Sequence, residues 1–241
     1  MLGLAAVLAG SVLAQASPGP LRRLVYTFTY GATRSLTTHN SGFNDALGGS
    51  TGNGIDSYTD RAGDTGTIAV DVLREQPDKG LVLSVSELGN NPARNAKPAT
   101  CVVYGNSTVI CDPNATVNPE EYTVIGLLGA NFVDPSLLDA QHHWKFSSAG
   151  PEYEATSDYT ITRNDGGMLQ ISETRKVTYQ GQRSGSADVS AKIGYDLAHQ
   201  VLTSIEEVTT DHPRMTGNDI DNRVTVTAKL LSDSMATVST H

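Results

Sequence analysis

GSADVSAKIGYD (residues 185–196), LAHQ (197–200) and VLTSIEEV (201–208) form the stretch that decides the fold class. Ala187, Val189, Ala191, Ile193 and Tyr195 take every second position, while Ser186, Asp188, Ser190 and Lys192 fill the gaps. A period of two puts one set on an apolar face and the other in water, which is the mark of a half-buried strand. The turn-forming residues Asp196 to His199 follow, and the apolar run Leu202 to Val208 returns, so the stretch reads as a hairpin. Upstream, the alternation recurs at Leu24, Tyr26, Phe28 and Tyr30, at Ile68, Val70 and Val72, and at Leu81, Leu83 and Val85 after a turn over Gln76 to Gly80. Further strands are read at Trp144 and Phe146, Tyr159 and Ile161, Leu169 to Tyr179, and Val224 to Leu230, with turns at Asn164 to Gly167 and at Gln180 to Gln182.

One segment breaks this pattern. Asn118-Pro119-Glu120-Glu121 is a helix start, with Asn at the cap, Pro in the first turn and acids at the positive end of the helix dipole. Tyr122, Ile125 and Leu128 recur at helical spacing until Gly129. A second start, Asp134-Pro135, opens a short turn through Leu137 and Leu138. A helix of about ten residues spans only about 15 Å, too little to cover the apolar face of seven or more long strands. The expectation is therefore a mainly β protein: a long-stranded, strongly curved antiparallel sheet, a half-barrel, packed on the Pro119 to Leu128 helix. A β-sandwich is the alternative. Gly31 to Gly66 is rich in Gly, Ser, Thr, Asn and Asp without periodicity and is read as a long flexible loop inside a single β-rich domain spanning 17–241.

The hairpin ending in Ile193-Gly194-Tyr195-Asp196 and returning through Val201 to Ile205 resembles the repeated hairpins of exported bacterial half-barrel domains, the lipid- and lipoprotein-carrier families of the cell envelope. The resemblance covers roughly the last hundred residues. It implies an open sheet holding an apolar guest and carries over no ligand residue. A lipid-anchoring cysteine, present in some members of those families, is missing from this chain.

The amino terminus points the same way. Met1 to Ala16 form a short apolar run closing on Ala14-Gln15-Ala16, the small-x-small pattern of a secretory signal peptide, and Ser17-Pro18-Gly19-Pro20 breaks any helix after it. The run is shorter than the roughly 20 residues of a membrane span, so the mature chain is expected to lack a transmembrane segment and to be secreted or periplasmic. The net charge of -9 with no basic run argues against nucleic acid and anionic membrane surfaces as partners.

Cys101 and Cys111 bracket two β-prone runs around Gly105-Asn106. A three-residue loop, Gly105 to Ser107, sets the cysteines opposite each other, whereas a two-residue loop sets Cys101 against Ile110. Only opposed positions meet the separation that a disulfide needs, so an odd-length loop and a structural disulfide are predicted, as suits an oxidising compartment.

Several patterns with chemical potential resolve into turn or surface chemistry. Gly48-Gly49-Ser50-Thr51-Gly52 matches the nucleophile elbow of hydrolases, but no alternating strand-helix pattern surrounds it. The loops Gly52 to Tyr58 and Thr216 to Asp221 are rich in Asp and Asn, as calcium loops are, yet they are not tandem copies. Adjacent His142 and His143 point to opposite faces of a strand, and no metal-ligand spacing occurs, so no metal and no cofactor are expected. Glu206-Glu207 and Asp219/Asp221 read as solvated acids, and Asn106 and Asn114 begin glycosylation sequons. The leading expectation is an exported, non-enzymatic protein that binds an apolar or lipid-like ligand in a sheet concavity lined by Tyr122, Ile125, Val189, Ile193, Val226 and Leu230. The alternatives are a surface or envelope module that binds another envelope protein through the 31–66 segment, and a hydrolase using the Ser50 loop.

Overall fold

The computed structural model describes residues 19–39, 55–78, 80–129, 132–133, 142–150, 153–180, 184–215 and 218–235. The signal segment 1–16, the Ser50 motif and the 134–138 turn lie outside the described residues, as do 52–54 and 216–217 of the two Asp/Asn-rich loops, whose remaining residues belong to strands. Eleven strands form one antiparallel sheet in the order β5-β4-β3-β2-β1-β11-β10-β9-β8-β7-β6. They are β1 (Arg22–His39), β2 (Ile55–Glu75), β3 (Leu81–Gly89), β4 (Ala99–Val103), β5 (Val109–Cys111), β6 (His143–Gly150), β7 (Tyr153–Asp165), β8 (Met168–Tyr179), β9 (Gly185–Asp196), β10 (Val201–Met215) and β11 (Asn218–Asp233). Among the described residues a single helix, α1 (Pro119–Ile125), stands between β5 and β6 in sequence.

The chain starts at the centre of the sheet and meanders outward through β1 to β5. It then passes through α1 to the opposite edge at β6 and meanders back, so that β11 closes against β1. The sheet is not closed into a barrel: β5 and β6 are its two edges. This is the curved-sheet expectation with one helix, although α1 ends at Ile125, three residues before Leu128. Asn118 starts it as read, since its backbone N–H donates to Glu121 Oε2 at 2.8 Å in a capping box.

The expectation of a loop over 31–66 is corrected. Residues 31–39 continue β1, and residues 55–66 belong to β2, pairing Gly31 with Gly63, Leu36 with Tyr58 and His39 with Ile55. Residues 40–54 lie outside the described set. These extensions hold through backbone ladders to β2 and β11 on either side of β1. They bury little side-chain surface, with residues 57–63 exposed throughout, so no hydrophobic alternation was there to be read.

The alternation seen in sequence does set the inward face. Leu24, Tyr26, Phe28, Ile68, Val70, Leu83, Val85, Leu169, Ile171, Ile193 and Ile205 are buried together, and the intervening Ser186, Asp188, Ser190 and Lys192 of β9 are exposed. Register aligns Ile161, Ile171, Ile193, Ile205, Ala228 and Phe28 in one row across six strands. Against one end of this core stands an aromatic cluster: the Phe132 ring lies edge-on to Tyr159 at 5.2 Å and to Trp144 at 5.9 Å, while Trp144 stacks on Tyr159 at 5.1 Å. Cys101 and Cys111 face each other across the β4–β5 hairpin and are joined. The loop has the expected three residues, because Tyr104 N–H donates to Thr108 O at 3.0 Å and Ser107 takes a left-handed conformation at φ 63°.

Candidate functional site

Strand periodicity continues past the apolar residues into charged ones. In β8 the inward phase Leu169, Ile171 runs on to Glu173, Arg175 and Val177, and in β10 Ile205 is followed in phase by Glu207 and Thr209. Register then aligns Trp144, Tyr159, Glu173, Ala191, Glu207, Val226, Tyr30 and Asp64 in a row beside the isoleucine row. The next row is Phe146, Ser157, Arg175, Val189, Thr209 and Val224. These rows and α1 enclose a cavity of about 520 Å³ that opens to solvent. The β4–β5 hairpin contributes Ser107 and Val109 to its wall, and Ser107 Oγ reaches across to Tyr159 OH at 3.3 Å. The cavity thus sits at the open seam of the sheet.

Its floor is ionic. Glu173 and Glu207 are only 1% and 8% exposed. Arg175 Nη2 donates to Glu207 Oε2 at 3.3 Å, and Nη1 stands 3.7 Å from Glu173 Oε1. Thr123 of α1 donates to Glu207 Oε1 at 3.1 Å, which ties the helix to the cavity floor. Tyr159 OH donates to Glu173 Oε1 at 3.1 Å. Burial pushes the Glu173 carboxyl above its usual range, and the Glu207 charge adds to that push while Arg175 opposes it. Burial likewise raises the Tyr159 phenol, so it remains a donor at ordinary pH.

A second buried ionic cluster lies on the other side of α1. Arg94 pairs with Glu120 in a short hydrogen bond, stands 3.8 Å from Asp64, and lies over the Tyr30 ring at 3.9 Å from its centroid. Glu87 and Glu121 are buried beside them. Burial raises the Glu87 carboxyl to about 7, helped by the charges of Glu120 and Glu121 and opposed by Asn118 and Arg94. One guanidinium therefore pins the 90–98 connection to α1 and β2 among four acids.

Of the expected pocket residues, Tyr122, Val189 and Val226 line the cavity. Tyr122 is 44% exposed at its mouth. Ile125 and Ile193 instead belong to the closed core at 0% exposure, because the buried side of α1 is Glu120, Glu121, Val124 and Ile125. Leu230 packs at the border of the core. Glu207 corrects the reading of Glu206-Glu207 as a solvated pair: Glu206 faces out and Glu207 faces the cavity. The strand phase was the signal that could have found Glu173, Arg175 and Glu207. His143, on the edge strand, pairs with Asp158 in a short contact, and His212 pairs with the exposed Asp221 at 2.8 Å. Among the described residues no group of three or more His, Cys, Asp and Glu is placed to hold a metal.

No family model and no curated protein matches the chain. Among solved structures, an outer membrane channel from Pseudomonas putida F1 aligns over 90% of this chain and 97% of its own, at 9% identity and a TM-score of 0.27. Similarity at that level does not establish a shared fold. The outward face of β9 carries Ser186, Asp188, Ser190 and Lys192, where a strand facing lipid carries apolar residues.

Proposed function

We propose that this is an exported, non-enzymatic binding protein that holds an amphipathic, lipid-like molecule in the cavity between α1 and the concave face of the sheet. The observation that carries the reading is the cavity itself. Its volume of about 520 Å³ falls in the range of about 300 to 1,000 Å³ common for small-ligand sites, and Val109, Leu127, Phe146, Val189, Val224 and Val226 supply apolar wall. An open sheet holding an apolar guest is also what the resemblance to exported carrier domains implies. The joined Cys101 and Cys111 favour an oxidising compartment, in keeping with the signal-like Met1 to Ala16 segment.

Native mass spectrometry of protein purified from its own host tests this directly, with Ala155→Trp as the control. Ala155 is half-buried and lines the cavity, so an indole there occupies ligand space without removing core contacts. The expected result is a co-purifying amphiphile on the wild type and its loss in a folded Ala155→Trp. A wild type that carries only water and buffer ions, and binds no apolar dye, overturns the proposal.

A further inference from the structure

The cavity floor bears on which head group an occupant can have, an inference that rests on the cavity being the ligand site. Glu173, Arg175 and Glu207 are the charged residues that line it among the described residues. Their protein partners are unevenly distributed. Glu207 is already served by three donors: Thr123 at 3.1 Å, Arg175 at 3.3 Å and Thr209 at 3.4 Å. Glu173 accepts from Tyr159 at 3.1 Å. Arg175 is less completely used, since its contact with Glu173 at 3.7 Å is too long for a hydrogen bond. The Arg175 side chain is 27% exposed, against 1% and 9% for the Glu173 and Glu207 side chains.

A head group seated on this floor therefore meets guanidinium N–H groups and must accept hydrogen bonds. Charge restricts it further. Two carboxylates already face one guanidinium in a site where burial weakens solvent screening, so an anionic head would be a third negative charge against a single positive one. An ester, amide or hydroxyl oxygen satisfies the donors without that repulsion.

We infer that the cavity selects an amphiphile with an uncharged hydrogen-bond-accepting head and discriminates against the fatty-acid carboxylate of the same chain. Apolar wall takes the chain, and Arg175 takes the head oxygen, with Glu173 and Glu207 acting as the element that rejects anions.

The test is displacement of the neutral dye Nile red from the purified wild-type protein at pH 8, comparing glycerol monooleate with oleate, both below their aggregation concentrations. Monooleate is expected to displace the dye at least tenfold more tightly. Glu173→Gln, which removes one negative charge and keeps the shape, is expected to narrow the preference several-fold by improving oleate. The wild-type comparison decides by itself if that variant fails to fold. Oleate binding as tightly as monooleate overturns the head-group inference and leaves the cavity reading intact, as does an unchanged preference in folded Glu173→Gln. Failure of the dye and both lipids to bind overturns the cavity reading, and the inference with it.

Discussion

Replacing Glu87 by glutamine tests the acidic cluster behind α1 through the pH dependence of stability. Glu87 is 7% exposed, and its carboxyl titrates near 7, chiefly because burial disfavours the charged form and secondly because Glu120 is close. In the unfolded chain the same group titrates near its ordinary value of 4.5. The folded state therefore holds a proton between those values that the unfolded state has released, and stability falls as pH rises through that window. Below pH 4.5 both states are protonated, and above 7 both are ionised, so the loss is confined between the two. At 1.36 kcal/mol per pKa unit, the loss between pH 5 and pH 8 is about 2 to 3 kcal/mol. Glutamine keeps the shape and cannot ionise. Glu173, also raised by burial, remains in both proteins and cancels in the comparison, whereas Glu120 and Glu121 share the cluster with Glu87, so the difference reads the cluster's titration. Urea unfolding of wild type and Glu87→Gln at pH 5 and pH 8 is the assay. The variant should gain about 2 to 3 kcal/mol on wild type as pH rises. Equal pH profiles, or a wild type that gains on the variant as pH rises, would refute the account of Glu87 as a carboxyl kept neutral by burial.

Two further outcomes follow from the packing. Phe132→Ala removes the ring shared by Trp144, Tyr159, Phe146 and Tyr195 and should cost about 3 to 5 kcal/mol in chemical denaturation, with a change in the near-ultraviolet signal of Trp144. Replacing Cys101 and Cys111 together by serine should lower stability by about 2 to 3 kcal/mol, as expected for a small covalent ring, while far-ultraviolet circular dichroism remains that of the sheet. A loss of strand signal in the double serine variant would mean that the disulfide defines the fold instead of reinforcing it.

The elements most legible in the chain were those whose signal is local. Leu24 to Tyr30, Leu81 to Val85 and Ala187 to Tyr195 alternate because one face of each strand is buried, and burial acts residue by residue. The opposition of Cys101 and Cys111 followed from counting loop residues, and the α1 start followed from Asn118, Pro119 and Glu121, whose chemistry is complete within four residues. The candidate site was legible only in part. Val189 and Val226 were found because they are apolar and in phase, whereas Glu173, Arg175 and Glu207 occupy the same phase and were passed over because charge ordinarily marks the solvent face.

The sequence by itself determined the class of protein: a β-rich chain of long alternating strands, one short helix and one stapled hairpin. Only the tertiary structure decided that residues 31–39 and 55–66 are strand, that β11 closes on β1, and that α1 packs against β11, β1, β10 and β3. The physical reason is that strand pairing is made by backbone hydrogen bonds, which every residue but proline offers, so partner choice leaves little trace in side-chain pattern. The row joining Tyr159, Glu173, Glu207 and Tyr30 exists because register sets distant segments side by side, so that Glu173 accepts from Tyr159 and Glu207 from Arg175, each on another strand.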